Sequence, residues 1–364
     1  MSRVNVDQNS PVSVGLVGFG MAGRVFHAPL IHANPKLRLT HIVQRHGDEA
    51  KALYPKAQIV RDVDDLLKIP EIELVVVATP NSTHFEIAAS ALRAGKHVVV
   101  DKPFTITTQD ADELIALACS AGRVLSVFQN RRWDGDFLTV QHILGQKLVG
   151  RLVDYESRFD RYRPNVKVGA WREKPEPGSG LLYDIGAHLI DQAVVLFGPP
   201  EGVYAETHKL RDGAESVDNF QVHLEYSGLK VVLKAGVLVC EPSPRFVLHG
   251  PEGSYVKYGL DPQEDALKQG RVPGEPGWGT EPESSWGTLT RCMFEPGRKT
   301  YPTLPGCYQE YYRNVHGAIR GKEELAVKPE HSREVIRLIE LAVQSAREKR
   351  VMPYSSPRFI KPTA

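Results

Sequence analysis

The sequence predicts an α/β protein of two domains: a doubly wound parallel sheet, then an α+β domain with a large mixed, mainly antiparallel open sheet. At 364 residues the chain is longer than one hydrophobic core usually spans. Short apolar segments alternate with helical patterns over the first third of the chain, and strand patterns predominate afterwards. We therefore predict domains at residues 1–130 and 131–364, the second ending in helices that could pack back on the first.

The first domain is predicted to alternate strands with helices. Its clearest strand is Leu74-Val-Val-Val-Ala78, which lacks polar alternation and should be covered on both faces. Thr108 is a suitable N-cap for a later helix, and Gly122 is a suitable end for it. Strands are predicted at residues 12–17, 38–43, around 59, 74–78, 97–100 and 124–128, and helices at residues 21–33, 84–94 and 109–121.

The second domain has the pattern of a sheet with one face in water. Val222, Leu224 and Tyr226 alternate with polar positions, and Ser227-Gly228 can form a hairpin turn. Residues 262–305 are rich in glycine and proline and are predicted to form a long surface loop. Strands are predicted at residues 152–159, 202–208, 219–226, 230–239, 245–249 and 254–257, and helices at residues 137–144, 308–320 and 332–349.

Composition argues against several classes of partner. The formal net charge of +1 provides no electrostatic reason to expect nucleic acid or an anionic membrane. Residues 1–10 are polar, and no apolar segment approaches the roughly 20 residues that span a bilayer. The four cysteines lack C-x-x-C spacing, and no metal site is predicted. We expect a cytoplasmic protein with a small-molecule substrate.

A glycine-rich motif lies between the first strand and the first helix. Gly18-Phe-Gly20-Met-Ala-Gly23 matches G-x-G-x-x-G. Gly18 would allow the tight turn, Gly20 the approach of a pyrophosphate, and Gly23 close packing of helix on strand. The free N–H groups and the helix dipole favour an anion there. A glycine turn without a ligand is the alternative, but the strand-to-helix context favours a dinucleotide-binding, Rossmann-type domain.

The end of the second strand indicates which cofactor is bound. Val43-Gln-Arg-His-Gly47 lacks the acidic residue that would hold a ribose 2′-hydroxyl. Arg45 could instead meet a 2′-phosphate in a charge-assisted fork. A solvated loop arginine is the alternative interpretation. The missing acid and the arginine together predict NADP, with NAD still possible.

Two further segments carry residues suited to catalysis. Asp101-Lys102-Pro103 ends the fifth strand, at the sheet edge where open α/β sheets bind ligands. Asp184 and His188 follow a glycine-rich approach and are four residues apart, so on a helix they share one face. Each could be structural on its own, Lys102 as a solvated lysine and His188 as a half-buried histidine. With the nucleotide turn, they supply what hydride transfer needs.

In these residues the chain resembles the glucose–fructose oxidoreductase / inositol dehydrogenase / rhizopine catabolism (Gfo/Idh/MocA) family. The motifs that carry the resemblance are residues 18–23, Ala78-Thr-Pro-Asn-Ser-Thr-His84, Ala94-Gly-Lys-His-Val98, Asp101-Lys-Pro103 and residues 184–188. The chain resembles the NADP-dependent scyllo-inositol dehydrogenase branch in Asn130-Arg-Arg-Trp-Asp134, Phe137-Leu-Thr139, Arg161-Tyr-Arg-Pro164, Trp171-Arg-Glu173 and Asp261-Pro-Gln-Glu-Asp265. The similarity covers nearly the whole chain.

The resemblance implies a Rossmann domain, and a C-terminal α/β domain whose open sheet builds homodimers or homotetramers. It also implies that Lys102, Asp184 and His188 are the catalytic residues. Asp101 departs from the family's usual glutamate, which leaves its contact to the cofactor open. The predicted cofactor contacts, from the motifs and the resemblance together, are Gly18, Phe19, Gly20, Met21, Gly23, Arg45, Thr79, Pro80, Asn81, His84, Asp101 and Lys102.

The predicted reaction is hydride transfer between NADP and a secondary alcohol of a cyclitol or sugar. His188 would take the hydroxyl proton, and Lys102 would stabilise the developing alkoxide. Asp184 would orient the hydroxyl or the imidazole. Candidates for polyol binding, several of which could instead form only ion pairs between the domains, are Arg132, Asp160, Arg161, Tyr162, Arg163 and Trp171. A non-catalytic NADP-binding regulator and a nicotinamide-dependent glycosidase remain alternatives.

Overall fold

The first sheet of the protein is parallel and doubly wound, as predicted. The computed structural model describes residues 10–167, 169–293 and 296–355. Six strands lie in the order β3-β2-β1-β4-β5-β6, so the winding reverses between β1 and β4 and opens a crevice at their carboxyl ends. The strands are β1 (Val12–Val17), β2 (Leu37–Val43), β3 (Gln58–Val60), β4 (Leu74–Val77), β5 (His97–Val100) and β6 (Leu125–Val127).

Helices connect these strands, and one predicted cap is wrong by one residue. Thr107 caps α5 with a side-chain oxygen that accepts from the Asp110 N–H, whereas Thr108 lies inside the first turn. Gly122 ends α5 in the left-handed conformation, as predicted. The helices are a π-helical turn (Ala22–His27) that continues into α1 (Ala28–His32), then α2 (Glu49–Leu53), α3 (Val63–Leu67), α4 (His84–Arg93) and α5 (Thr108–Ala121).

Among the residues that the structure describes, the second sheet has nine strands, in the order β14-β13-β12-β11-β7-β10-β9-β8-β15. Only β7 and β10 pair in parallel, so within the described residues the sheet is mixed and mainly antiparallel, as predicted. Its strands are β7 (Asp154–Arg158), β8 (Gly202–His208), β9 (Asn219–Tyr226), β10 (Leu229–Gly236), β11 (Phe246–Gly250), β12 (Gly253–Lys257), β13 (Gly287–Arg291), β14 (Gly297–Tyr301) and β15 (Met352–Pro353).

The prediction of a long loop over residues 262–305 is wrong. This segment holds a helix and two strands, and β13 pairs with β12 through alternating buried positions. Four of the glycines that suggested a loop, at positions 270, 274, 277 and 279, lie between these elements, and Gly287 and Gly297 begin the two strands. The helices of this half are α6 (Gly135–Gly145), a π-helical turn (Leu182–Gly186) that continues into α7 (Ala187–Phe197), α8 (Gln263–Lys268), α9 (Gln309–Ile319) and α10 (Pro329–Glu348).

The last two helices lie against the first sheet. Glu340 of α10 accepts hydrogen bonds from the backbone and hydroxyl of Thr108, both at 2.7 Å. Arg320, at the end of α9, pairs with Glu73 at 2.7 Å. In the described part of the chain there are also four 3₁₀ turns, at Asn81–Thr83, Asn130–Trp133, Trp171–Glu173 and Glu283–Ser285. Across the described residues, no helix is both long and apolar enough to cross a membrane.

Candidate active site

The glycine-rich segment forms a turn with no room for side chains at two of its positions. Gly18 has a φ of 99°, and a Cβ there would lie 2.5 Å from the carbonyl oxygen of Ala78. A Cβ on Gly23 would collide with the carbonyl oxygen of Gly18. Gly20 differs, because no atom lies within 4 Å of its Cβ position. The backbone at Gly20 therefore faces open space, as close approach of a ligand requires.

A cleft of about 810 Å³ opens over this turn and reaches Lys102 at the end of β5. Its volume is in the range of ligand pockets, and a helix begins at its floor. Every predicted cofactor residue except Gly23 and His84 lines it. A dinucleotide fits this cleft, because the backbone at Gly20 is open and the predicted cofactor residues line the walls.

The side chain predicted to select NADP lies in the wall of this cleft. Arg45 follows β2, is exposed, and has no ion-pair or hydrogen-bond partner among the described residues. Arg61 holds the same loop, donating to the carbonyl oxygens of Gln44 and Gly47 at 2.9 and 2.7 Å. Arg61 was not predicted, because it is 16 residues beyond Arg45 in the sequence. The loop is fixed in place while its own arginine is left free for an anion.

The turn after β4 forms another part of the cleft wall. Thr79, Pro80 and Asn81 line it, and the Asn81 amide donates to the carbonyl oxygen of Gly178 at 2.5 Å. His84 is buried beneath the turn, with Nδ1 2.8 Å from the Pro103 carbonyl oxygen and Nε2 3.0 Å from that of Thr79. Its position does not support the predicted contact with the cofactor. His84 instead braces the two segments that line the cleft.

Asp101 connects the end of β5 to the first helix. Its Oδ1 accepts from the backbone N–H of Lys102 at 2.9 Å and lies 3.6 Å from Nε2 of His27. Nδ1 of His27 is in turn 2.6 Å from the Tyr312 hydroxyl of α9. Burial would raise the pKa of Asp101, but the neighbouring His27 and Lys102 side chains outweigh burial and lower it. This shorter acid is therefore an ionised group that holds the backbone at Lys102.

Lys102 and Asp184 meet between the two sheets. Lys102 Nζ donates to Oδ1 of Asp184 at 2.7 Å and to its backbone carbonyl at 2.8 Å. Arg172 Nε lies 3.5 Å from the same Oδ1. Burial would raise the pKa of Asp184, but the charges of Lys102 and Arg172 outweigh burial and lower it well below its ordinary value. The pair is therefore an ammonium and a carboxylate at the inner end of the cleft.

His188 lies one turn beyond Asp184, on α7. The residue is 4% exposed, and Nδ1 of its ring makes no hydrogen bond to any described residue. Burial, followed by the positive charge of Lys102, holds the pKa of His188 well below its ordinary value. The ring is therefore neutral at physiological pH and keeps an unpaired nitrogen, as a proton acceptor must. His188 does not line the dinucleotide cleft, nor does it line a smaller cavity beside Asp184.

Three of the predicted polyol contacts, Arg132, Asp160 and Tyr162, line neither cavity. Arg132 makes a buried bidentate pair with Asp191, at 2.8 and 2.6 Å. Asp160 accepts from the backbone N–H of Gly236 at 3.0 Å. Tyr162 is 59% exposed and does not line either cavity. The two cavities therefore provide no support for these three assignments, which remain predictions.

The other three predicted polyol contacts lie at the site. Trp171 lines the dinucleotide cleft, and Arg161 and Arg163 line a second, smaller cavity together with Asp184. Arg172, which we did not single out, lines both cavities and stacks on Trp171 at 4.5 Å. It lies within the motif Trp171-Arg-Glu173, so the sequence did contain the signal for it.

A dinucleotide cleft that ends at a buried ammonium–carboxylate pair defines an NAD(P)-dependent oxidoreductase. Comparison with known proteins identifies its family. Residues 12–129 match the family described as "Oxidoreductase family, NAD-binding Rossmann fold", and residues 142–354 match "Oxidoreductase family, C-terminal alpha/beta domain". The chain belongs to this family, Gfo/Idh/MocA, as its motifs indicated.

Curated relatives resemble the chain over almost its full length. It is 46% identical over 340 residues to "Uncharacterized oxidoreductase YdgJ" of Escherichia coli, covering 93% of this chain and 97% of that protein. It is 39% identical over 342 residues to "scyllo-inositol 2-dehydrogenase (NADP(+)) IolW" of Bacillus subtilis, covering 94% and 95%. The similarity therefore includes both sheets and the site between them.

Solved structures have the same fold. The oxidoreductase yvaA from Bacillus subtilis matches with a TM-score of 0.92 and 38% identity, covering 95% of this chain and 99% of that chain. An oxidoreductase from Bacteroides fragilis matches with a TM-score of 0.88 and 46% identity, covering 95% and 100%. The two-sheet architecture is thus shared over nearly all of each chain.

Proposed function

We propose that this oxidoreductase transfers a hydride between NADP and a secondary alcohol of a cyclitol or sugar. The observation that carries the proposal is the contact between Lys102 and Asp184 at the inner end of the dinucleotide cleft. The 39% identity to a protein named scyllo-inositol 2-dehydrogenase (NADP(+)) supports the same class of substrate.

Each residue has a defined part in the proposed reaction. The nicotinamide, when bound, accepts or returns the hydride. Lys102 donates a hydrogen bond from Nζ to the reacting oxygen and stabilises its developing negative charge. Asp184 holds that ammonium in place from the opposite side. His188 takes the hydroxyl proton, because its neutral ring is the form that can accept one.

Arg45 supports NADP as the preferred cofactor. A guanidinium at the end of β2 with no partner among the described residues matches the double charge of a 2′-phosphate. An acid, which would favour the 2′-hydroxyl of NAD, is absent between Val43 and Gly47. Arg61 contributes indirectly by holding the loop that carries Arg45.

Assembly as a homodimer or homotetramer through the second sheet is part of the proposal. The observation behind it is the alternation along β9, where buried positions face the helices and the intervening ones are partly exposed. An uncovered sheet face of this kind can pack against a second copy. Light scattering of the purified protein would measure the mass of the assembly in solution. A monomeric mass at all protein concentrations would contradict the proposed oligomer.

A cofactor-reduction screen tests the proposed function. Purified protein is mixed with NADP or NAD and with inositol isomers, aldoses and aldonolactones, and NADPH or NADH formation is followed. We expect reduction of NADP by at least one cyclitol or sugar and loss of that activity in the Lys102→Met variant. Cofactor binding without reduction by any substrate would contradict the proposal and favour a regulator.

A further inference from the structure

The second cavity lies directly beside the Lys102–Asp184 pair. Its volume is about 80 Å³, enough for one small charged group, because a single water needs on the order of 10–15 Å³. Four arginines line it: Arg161, Arg163, Arg172 and Arg211. Such a density of guanidinium groups beside a reacting centre needs a physical explanation.

The four charges are not compensated equally. Arg211 is neutralised by Asp218 at 3.0 Å and Glu173 at 2.7 Å. Arg172 shares Asp184 with Lys102. The guanidiniums of Arg161 and Arg163, by contrast, have no ion pair and no hydrogen-bond acceptor among the described residues. Two neighbouring cations beside Asp184, the half-buried Arg161 and the exposed Arg163, thus have no partner in the described part of the chain.

The backbone fixes where these two side chains point. The N–H of Arg161 donates to Gly236 and that of Arg163 to Val237, at 2.9 and 2.7 Å. Tyr162 forms the bridge between them, opposite Leu238. In an extended segment, residues two apart project from the same side. Arg161 and Arg163 are therefore held towards the cavity, and the exposed Tyr162 points away.

The surroundings of Arg161 hold other arginines as well as the carboxylates of Asp184 and Glu264. Its guanidinium lies 4.7 Å from the centre of the Phe159 ring, which Arg131 and Arg245 also approach, at 4.8 and 5.6 Å. Burial, followed by the charge of Arg163, lowers the pKa of Arg161. Both effects disfavour its charged form, so an anion between Arg161 and Arg163 would relieve them.

We propose that Arg161 and Arg163 bind an oxyanion of the substrate, so that the reacting alcohol belongs to a sugar or cyclitol bearing a carboxylate or phosphate. A neutral polyol would leave both charges unpaired, whereas an oxyanion can accept hydrogen bonds from two guanidinium groups. The inference rests on the proposed function, because it assigns a substrate class to the same site.

Matched substrates test the proposal. Rates of NADP reduction are compared for D-glucose, D-glucuronate and D-glucose 6-phosphate, and for scyllo-inositol and an inositol monophosphate. We expect kcat/KM to be about tenfold or more higher for one anionic class than for its neutral partner. Glucuronate and the phosphates separate a carboxylate subsite from a phosphate subsite. Neutral compounds that react as well as both anionic classes would overturn the proposal.

Charge-removing variants link the preference to these residues. Arg161→Gln and Arg163→Gln should each lower kcat/KM for the preferred anion by about tenfold or more beyond their effect on its neutral partner, chiefly through KM. Arg298→Gln removes an exposed arginine of β14 as the control and should retain the wild-type preference. Equal losses on anionic and neutral substrates would contradict the anion subsite.

A binding measurement separates this proposal from the proposed function. D-glucuronate and D-glucose 6-phosphate are titrated calorimetrically into the wild type and the Arg161→Gln/Arg163→Gln double variant, with NADPH present. Binding by the wild type alone, without turnover, would support the anion subsite while the proposed function fails. Turnover of neutral polyols with no anion binding would overturn the subsite and leave the proposed function intact.

Discussion

Lys102 Nζ lies 2.7 Å from Oδ1 of Asp184, although 82 residues separate the two in the sequence. The strand β5 delivers the lysine from the first sheet, and the π-helical turn before α7 delivers the aspartate from the second half of the chain. Because Lys102 also lines the dinucleotide cleft, this one contact joins the cofactor site to the second cavity.

Substituting either Lys102 or Asp184 should lower kcat, because both substitutions break the same contact. Lys102→Met should lower kcat by a factor on the order of 10²–10⁴, because it removes the donor to the reacting oxygen. Asp184→Asn should also lower kcat, since Lys102 then loses its anchor. In the double variant the losses should be far from additive, because the two residues act as a unit. Steady-state kinetics of the four proteins measures this coupling; additive losses would contradict it.

The pH profile should show a neutral His188. Burial and the charge of Lys102 lower the pKa of His188 well below 6.5, so its proton-accepting form persists to acid pH. We expect kcat/KM for alcohol oxidation to fall only at a pH well below 6.5. In Lys102→Met the fall in residual kcat/KM on the acid side of the profile should begin at a higher pH, because removing the positive charge raises the pKa of His188. An acid limb near 6.5 in the wild type, unmoved in the variant, would contradict this assignment.

Arg45→Ala should change the choice of cofactor. Loss of a charge-assisted hydrogen bond worth about 1.5–3 kcal/mol raises the KM for NADP by roughly 10- to 100-fold. The KM for NAD should change far less, because NAD has no 2′-phosphate. The matched control is Arg38→Ala, an exposed arginine of β2 outside the cleft. Similar effects of Arg45→Ala on both cofactors would remove the case for NADP.

His97 should make the folded state sensitive to acid. Burial and then the charge of Arg123 lower the pKa of His97 to about 4, from 6.5. Between these values the unfolded chain binds the proton and the folded chain does not, so stability falls as pH drops from 6.5 towards 4. The effect amounts to at most about 3 kcal/mol.

The variant His97→Asn isolates this contribution. Nδ1 of His97 accepts from the Val124 N–H at 2.9 Å, and an asparagine oxygen can occupy the same place. Urea unfolding should show similar stability to wild type near neutral pH and a shallower loss towards pH 4. An unchanged pH dependence of the unfolding free energy would show that another group causes the acid sensitivity.

Much of the fold was predictable because local patterns and topology agree. The unbroken apolar strand at residues 74–77 is buried at every position, and the hairpin with Gly228 forms as expected. The loop predicted over residues 262–305 was wrong for a physical reason. Most of its glycines lie in turns between short elements, and the strand at residues 287–291 is stabilised by pairing with β12, which no local pattern reveals.

The site was predictable only in part, because long-range pairing decides which charged groups are free. Arg132 and Arg161 were both predicted from the sequence to bind a polyol. Asp191 neutralises Arg132 from 59 residues away, whereas no described residue forms an ion pair with Arg161. Tyr312 supports His27 from 285 residues away, so its link to Asp101 had no local signal. The motifs contain the proposed reacting groups Lys102, Asp184 and His188, and the tertiary structure determines their partners.

Isotope transfer tests the central claim most directly. The most active alcohol from the reduction screen, deuterated at its carbinol carbons, is incubated with the enzyme and NADP, and the nicotinamide product is analysed by mass spectrometry and NMR. We predict one deuterium per NADPH at nicotinamide C4, and none formed by Lys102→Met on the same timescale. Unlabelled NADPH, or a tightly bound cofactor that no deuterated alcohol reduces, would contradict hydride transfer at this site.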